Sequence, residues 1–399
     1  MAYHYALSSK TPMSVALIDV LISVYNGAKT VRSSIESIQR QTVQDIRIIV
    51  VDDGSTDDTL VILNEIAQKD SRVQVIPKPH SGIVDSLNKG LALCTAEFIA
   101  RFDADDIAYP HRFATQVAYL QENPGCIAVS AAYIHIDEND HQIGLKQKQP
   151  AVVKADATWI PCLEPFLMQT LLMMRKADID AVNGYRLCEV SEDSDLYWRL
   201  YEIGEMHNID EILGAYRLNP NSISSKSIIN GRRMALWSQL AGISSLRRRN
   251  GETDLTFDKE RIMSYQNAVS LEEICRLASK ELTEKELVRL RIAASVKMLE
   301  LTAFRPYELD REDCRFIQKS LIEGKGLLNK KNHKLIKANI VSSGMRLMRA
   351  GKNVETYLLV KQLLPYVIFM AILRSLIPKY MRNFLKTLLV DRSINRFTD

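Results

Sequence analysis

Three aspartates follow directly after a short apolar segment in the first half of the chain. The segment 96–102 has the composition of a buried strand, and Asp103, Asp105 and Asp106 come next. Two carboxylates one residue apart at a strand end suit a hard divalent cation, which keeps part of its water shell and also takes phosphate oxygens. Because an isolated pair of this kind is more often a solvated turn, the metal-site hypothesis depends on the rest of the chain.

Two other acidic clusters lie at the ends of predicted elements. Asp53 follows the apolar segment 46–51 and precedes a polar turn and a helix, whereas Glu192 and Asp193 open a further helix. The helix dipole alone favours carboxylates in a first turn, so Glu192 and Asp193 need no chemical role when considered by themselves. Three such clusters in one chain favour a functional site over three solvated turns.

Taken in order, these clusters and their neighbours resemble the motifs of family 2 inverting glycosyltransferases with a GT-A fold. The resemblance covers about residues 14–225. It extends in particular to bacterial enzymes that build lipopolysaccharide O-antigen, lipooligosaccharide or capsule. The residues that carry it are Val24-Tyr25-Asn26, Val51-Asp52-Asp53-Gly54-Ser55, Asp103-Ala104-Asp105-Asp106 and Glu192-Asp193.

The resemblance implies a metal site and a catalytic base. It makes Asp105 the principal ligand of Mg²⁺ or Mn²⁺, with Asp103 as its partner, directly or through water. Asp193 is the expected base that deprotonates the acceptor hydroxyl, and Glu192 and Asp195 are its alternatives. The reaction needs both the metal ion and the base, because charge develops on the leaving diphosphate while the acceptor loses its proton.

The resemblance also implies a binding site for a nucleotide-diphosphate sugar. Tyr25 is expected to stack on the base, and Asp53 to accept a hydrogen bond from its imide N–H, which favours a UDP-sugar. Asn219 stands where family members often have a histidine that helps to hold metal or diphosphate, and Arg217 is expected to compensate. The expected donor-binding residues are Ser23, Tyr25, Asn26, Asp53, Ser81, Gly82, Asn88, Asp103 and Arg217.

The pattern of elements predicts an α/β fold with a doubly wound sheet, followed by an α-helical C-terminal domain. The resemblance implies that the first of these is a GT-A (Rossmann-like, doubly wound mixed sheet) domain. Strand and helix patterns alternate up to a last predicted strand at 213–218, and such sheets bind ligands at the carboxyl ends of their strands. Helical periodicity dominates afterwards. We expect a catalytic domain at 1–225 and a basic helical domain at 226–399.

The two predicted domains differ in charge. Residues 1–225 carry 19 Lys and Arg and 30 Asp and Glu, whereas residues 226–399 carry 33 and 18. A basic half can serve nucleic acid, anionic lipid or a phosphorylated substrate. The stretch of about 357–390 is apolar with interspersed basic residues, which is typical of helices in an anionic membrane interface, although a buried packing helix remains the alternative.

We therefore expect an inverting glycosyltransferase of bacterial surface polysaccharide synthesis. It would move a hexose or N-acetylhexosamine from a nucleotide-diphosphate sugar to a hydroxyl of a lipid-linked oligosaccharide. One alternative is a metal-dependent nucleotidyltransferase, although the chain has no glycine-rich phosphate loop of the G-x-x-x-x-G-K-[ST] type. The other is a nucleic-acid-binding or membrane-binding protein that uses the basic half.

Cysteine usage and the N-terminal segment predict a cytoplasmic protein. The six cysteines are scattered without metal-ligand or disulfide-framework spacing, and residues 1–13 lack the apolar core of a secretory signal. Combined with the basic second half, this predicts a peripheral protein on the inner face of the bacterial plasma membrane. No nucleic-acid partner is expected, and the sequence leaves the oligomeric state open.

Overall fold

The computed structural model describes residues 16–376 except 148, 150, 151, 189, 220–226, 266 and 306. The chain divides into two compact units, which we call the sheet unit and the helical unit. The sheet unit contains Met1–Lys148, Leu167–Gly184 and Gly204–Arg217, and the helical unit contains Gln149–Phe166, Tyr185–Ile203 and Leu218–Asp399. The boundary predicted at 225 lies outside the described residues and stays a prediction.

The sheet unit is built on a nine-stranded mixed sheet. Its strands are β1 (Ile18–Val24), β2 (Ile46–Asp52), β3 (Val73–Pro77), β4 (Phe98–Asp103), β5 (Ile107–Ala108), β6 (Cys126–Ile136), β7 (Gln142–Gln147), β8 (Met173–Arg175) and β9 (Glu205–Arg217). The order is β3-β2-β1-β4-β8-β6-β9-β5, and β7 pairs with β6. The strands β3, β2, β1 and β4 are parallel, whereas β8 is antiparallel to β4 and β6. The described part of this unit contains five α-helices: α1 (Val31–Gln39), α2 (Thr59–Lys69), α3 (Ile83–Leu91), α4 (Arg112–Glu122) and α5 (Lys176–Ala181).

The central strands are apolar on both faces because both faces are covered. β1 has no exposed residue, and its core neighbours include Val31, Ile35 and Ile38, which the helical spacing of α1 places on one side. The doubly wound sheet predicted from the alternating pattern and the GT-A class implied by the resemblance are confirmed. β9 begins eight residues before the predicted start at 213, because the polar segment 205–210 pairs with β6.

Within the described residues, the helical unit contains nine helices. They are α6 (Glu192–Tyr201), α7 (Ile228–Arg249), α8 (Lys259–Tyr265), α9 (Leu271–Ala278), α10 (Glu284–Phe304), α11 (Arg311–Glu323), α12 (Lys330–Arg349), α13 (Asn353–Val360) and α14 (Leu364–Leu376). All of them except α6 contribute side chains to one apolar core, whereas Trp198 of α6 packs in a smaller cluster with Ala157, Cys162 and Ala241. Thr283, Asp310 and Asn329 form capping boxes at the starts of α10, α11 and α12. Within the described residues, no helix has the length and apolar composition needed to cross a bilayer.

Candidate active site

The acidic loop begins where β4 ends, at the carboxyl edge of the parallel strands. Asp103 is the last residue of β4 and lies opposite Ser23 of β1, and its carboxylate forms an ion pair with the buried Arg101. Asp105 is half-buried. Burial raises the pKa of Asp105 to about 6, and the neighbouring charge of Asp103 adds to this effect. Two crowded carboxylates at a strand end therefore favour a cation between them.

Arg217, at the end of β9, braces this loop. Its side chain is only 5% exposed, and its Nε donates to the backbone oxygen of Asp105 at 2.7 Å. The remaining guanidinium nitrogens bond to the backbone oxygen of Asp137 at 2.7 Å and to the carboxylate of Asp140. The predicted contact between Arg217 and the diphosphate stays a prediction, and it would require release of one of these hydrogen bonds.

Asp106 has a different environment from its two neighbours. It is fully buried, and its Oδ1 accepts a hydrogen bond from the backbone N–H of Arg217 at 2.7 Å. Burial and the charges of Asp105 and Asp103 hold its pKa well above the usual range. Asp106 therefore holds the end of β9 against the acidic loop.

The donor set at this loop fits a hard divalent cation of the kind the family implies. Among the residues that the structure describes, no three or more His, Cys, Asp or Glu side chains are grouped to enclose a metal. Asp103 and Asp105 supply two carboxylates, and Asp103 shares its charge with Arg101. Mg²⁺ and Mn²⁺ in nucleotide sites take one or two carboxylates and complete their shells with phosphate oxygens and water, so the two residues present are sufficient.

An exposed aromatic pair lies at the same edge of the sheet. Tyr25 follows β1, and its ring stacks on that of His80, with 4.2 Å between centroids and 27° between planes. The two side chains are 48% and 55% exposed, respectively. Tyr25 was predicted as a base-stacking residue, whereas His80 was missed, although its place just beyond the end of β3 could have indicated it.

Asp53 is buried beneath the aromatic pair and holds the loop that follows β3. It accepts from the backbone N–H groups of Ser81 at 3.0 Å and Gly82 at 2.9 Å, and it pairs with Lys78 and with His80 Nδ1. Burial favours protonation of Asp53, but Lys78 and the two N–H groups hold its pKa below the usual range. The structure thus brings the predicted donor-site residues Asp53, Ser81 and Gly82 together. The contact of Asp53 with a nucleotide base stays a prediction.

The remaining donor-site candidates lie on three different elements. Asn26 has a φ of 54°, and its side-chain oxygen accepts from the backbone N–H of Thr56 at 2.8 Å, which joins the ends of β1 and β2. Ser23 lies in β1 between β2 and β4. Asn88 lies within α3 against Gly184, so its side chain supports the packing of that helix.

Replacing Gly54 with alanine is expected to destabilise the sheet unit by roughly 1–3 kcal/mol. Gly54 has a φ of +73°, and an added Cβ would lie 2.7 Å from the backbone nitrogen of His80, where no side chain can move aside. Gly251 has the same φ but open space around its Cβ position, so Gly251→Ala measures the backbone strain alone. Thermal unfolding of both variants checks this, and equal losses would contradict the proposed clash.

Glu192 and Asp193 form the first turn of α6 in the helical unit. Both are half-buried, and Asp193 Oδ1 accepts a hydrogen bond from the backbone N–H of Ser194 at 2.7 Å. The positive end of the helix dipole stabilises carboxylates at this position. Both predicted base candidates are therefore accessible in part.

Asp195 is not accessible and is held by two arginines. It is fully buried; Arg186 donates to it through two nitrogens, and Arg199 pairs with its Oδ2 at 2.8 Å. Burial opposes ionisation of Asp195, but Arg199 and Arg186 hold its pKa below the usual range. Asp195 is thus part of a structural ion-pair network and a poor candidate for the base.

This network predicts that the helical unit loses stability in acid. Asp254 pairs with Arg186 and Arg248, and although burial raises the pKa of Asp254, Ser244 and the arginines lower it to about 2. A carboxylate with a lowered folded-state pKa stabilises the fold above about pH 4 and loses this effect as the pH falls towards 2. Urea unfolding of Asp254→Asn should show a smaller stability difference between pH 5 and pH 2.5 than the unchanged chain, and equal differences would contradict it.

Comparison with known proteins places these features in a family. The model described as Glycosyl transferase family 2 matches residues 19–182. An uncharacterized glycosyltransferase of Haemophilus influenzae is 32% identical over 223 residues, which are 52% of this chain and 68% of that protein. The amylovoran biosynthesis glycosyltransferase AmsE of Erwinia amylovora is 26% identical over 53% of this chain and 79% of its own. A solved mannosyltransferase from Pyrobaculum calidifontis, in complex with GDP-Man and Mn²⁺, has a TM-score of 0.49 and 15% identity over 87% of this chain and 86% of its own.

Proposed function

Because this chain belongs to glycosyl transferase family 2, we propose that it is an inverting, metal-dependent enzyme that transfers one sugar from a nucleotide-diphosphate sugar. Three strand ends carry the proposal. β1 leads to the exposed Tyr25, β2 to Asp53, and β4 to the crowded carboxylates of Asp103 and Asp105. An aromatic surface for a base and carboxylates for a metal-bound diphosphate thus share one edge of the sheet.

The residues of this edge divide the work of binding the donor. The Tyr25–His80 pair offers a flat surface to the base, and Asp103 and Asp105 would hold Mg²⁺ or Mn²⁺. When bound, the ion supplies positive charge that stabilises the leaving diphosphate. Arg217 keeps the backbone of the acidic loop in place, so the two carboxylates are positioned before the donor arrives.

Asp193 is the proposed base, with Glu192 as the alternative. The carboxylate takes the proton of the acceptor hydroxyl, whose oxygen then attacks the anomeric carbon on the face opposite the diphosphate. This single displacement inverts the configuration at that carbon. The partial exposure of Asp193 and its fixed place in the first turn of α6 support its role as the base.

We propose a UDP-sugar that carries a hexose or N-acetylhexosamine as the donor. Asp53 pairs with His80 of the aromatic pair, and a carboxylate at that place would match the imide N–H of uracil, which cytosine lacks. The contact would require release of one of the hydrogen bonds that Asp53 now accepts. The test is donor hydrolysis by the purified chain across UDP-, GDP- and TDP-sugars, with Mn²⁺ and with EDTA. Release of UDP that EDTA abolishes is expected. Absence of UDP binding in the presence of Mn²⁺, measured by calorimetry, would overturn the proposal.

The proposed acceptor is a hydroxyl of a lipid-linked oligosaccharide in bacterial surface polysaccharide synthesis. The name of AmsE, from amylovoran biosynthesis, supports this type of process. A lipid-linked acceptor also fits a peripheral position on the cytoplasmic face of the plasma membrane. Exposed apolar side chains near the described C-terminus provide a surface for that position: Tyr357, Tyr366, Ile368, Phe369 and Ile372.

The basic residues Lys379, Arg382 and Lys386, on which the membrane prediction also rests, lie outside the described residues.

Replacing Phe369 and Ile372 with serine is expected to lower binding to anionic vesicles at least fivefold, because each buried apolar side chain contributes roughly 1.5–3 kcal/mol. Co-sedimentation with phosphatidylglycerol-containing vesicles measures this. The equally exposed Met263→Ser variant of α8 is the control. Equal binding by both variants would favour the packing-helix alternative.

A further inference from the structure

A half-buried ion pair is connected to the candidate base through one serine. Glu164 is bonded on one side to Lys297 of α10, whose Nζ donates to Oε1 at 2.6 Å. On the other side, the hydroxyl of Ser194 donates to Oε2 at 2.6 Å. The backbone N–H of the same serine donates to Oδ1 of Asp193 at 2.7 Å. All four residues belong to the helical unit.

The segment that carries Glu164 is fixed by side chains of the C-terminal helices. Arg289 of α10 donates to the backbone oxygens of Ala157 and Trp159 at 2.6 and 2.7 Å. Asn332 of α12 donates to the backbone oxygen of Ile160 at 2.8 Å. Because these bonds hold the backbone before Glu164, its carboxylate has a defined place relative to α6.

The pair is partly shielded from solvent, so water screens its charges less than it would at the surface. The side chain of Lys297 is 23% exposed and that of Glu164 is 12% exposed. Burial lowers the pKa of Lys297, but the charge of Glu164 outweighs this and raises it above the usual range, so Lys297 keeps its positive charge. Glu300 and Cys162 are the other titratable groups near Lys297, and burial raises the pKa of each.

We infer that Glu164 and Lys297 are positioning residues for Asp193, acting through Ser194. This inference rests on the proposed role of Asp193 as the base. The backbone N–H of Ser194 fixes the orientation of the Asp193 carboxylate, and the carboxylate of Glu164 fixes the side chain of Ser194. The opposite charges of Glu164 and Lys297 largely cancel at Ser194, so removing either partner should change the proton affinity of Asp193. Glu192, in the same helical turn, is the neighbouring carboxylate in every variant.

Substitution of each partner should shift the pH profile of turnover in opposite directions. Glu164→Gln leaves the positive charge of Lys297 unbalanced close to Ser194, the neighbour of Asp193, and should move the acidic limb of kcat to lower pH. Lys297→Met leaves the negative charge of Glu164 and should move that limb to higher pH. The double variant should restore the limb to its original pH, which loss of structure alone does not do.

The experiment measures the pH dependence of UDP-sugar hydrolysis by the full chain with Mn²⁺, where water replaces the acceptor. We expect Glu164→Gln and Ser194→Ala to lower kcat about 10-fold or more with unchanged KM for the donor. Glu272→Gln is the matched control, because Glu272 also pairs with α10, through Arg291 at 2.8 Å. Its kcat and pH profile should equal those of the unchanged chain.

Three results that would contradict the inference can be told apart. If Glu164→Gln behaves like Glu272→Gln while Asp193→Asn abolishes hydrolysis, this inference is wrong and the proposed function stands. If Asp193→Asn hydrolyses donors normally, the assigned base is wrong and the inference falls with it. If the limbs of Glu164→Gln and Lys297→Met move in the same direction, the pair has only a structural role.

Discussion

Asp105→Asn is expected to lower metal-dependent donor hydrolysis about a thousandfold while making the chain more stable in the absence of metal. The loss of activity follows because asparagine keeps the shape of the side chain but removes the charge that would hold the ion. The gain in stability follows because burial and Asp103 raise the pKa of Asp105 to about 6, so the ionised carboxylate destabilises the fold at neutral pH. We expect a gain of roughly 1–3 kcal/mol.

The matched control for this prediction is Asp70→Asn, which should lose stability instead of gaining it. Asp70 lies outside the acidic loop, and its pairing with Arg72 lowers its pKa to about 2, so its charge stabilises the sheet unit. Asp70→Asn should therefore unfold at a lower temperature and hydrolyse the donor at the normal rate. Thermal unfolding with EDTA and hydrolysis with Mn²⁺ separate the two effects. An Asp105→Asn variant that is less stable and fully active would contradict the metal-ligand role.

The positions of the strand ends could be read from the sequence because they depend on local apolar patterns. β1, β2 and β4 are short runs covered on both faces, so their ends, and with them Asp53 and Asp103, follow from composition alone. The bracing role of Arg217 could not be read in this way. Its contact with Asp105 joins residues 112 positions apart, and only the pairing of β5 with β9 brings the two together.

Side chains in irregular segments were harder to predict for a related reason. Lys78 and His80 have no periodic pattern around them, yet both bond to Asp53, because β2 and β3 run in parallel and end side by side. A cation and an imidazole just after a strand end were the available signals. Taken alone, neither identifies a partner.

The carboxylates of α6 show what spacing can and cannot decide. Asp195 and Arg199 are four residues apart, which predicts a pair on one helix face, and the structure has that pair. The second partner, Arg186, precedes the helix and could not be assigned from helical spacing. Since successive residues point about 100° apart around a helix, Asp195 turns into the core while Asp193 stays partly exposed.

Asp193→Asn is therefore expected to lower kcat at least a thousandfold without changing the affinity for UDP. The substitution removes the proton acceptor but keeps the side-chain oxygen that bonds to the N–H of Ser194. Nucleotide binding is assigned to residues of the sheet unit, so calorimetry with UDP and Mn²⁺ should give the affinity of the unchanged chain. Glu192→Gln, one position earlier in the same helical turn, is the control and should lose less than about tenfold.

The pair of variants decides whether the first turn of α6 supplies the base. If Glu192→Gln is inactive and Asp193→Asn is not, the base is Glu192, and the hydrogen bond from Ser194 to Asp193 serves only to cap the helix. If both retain normal turnover and bind UDP, the proton is accepted by a group outside the first turn of α6. Because Asp195 is buried between Arg186 and Arg199, it does not become the base in either case. A base on another element would then have to be sought among carboxylates that are at least partly exposed.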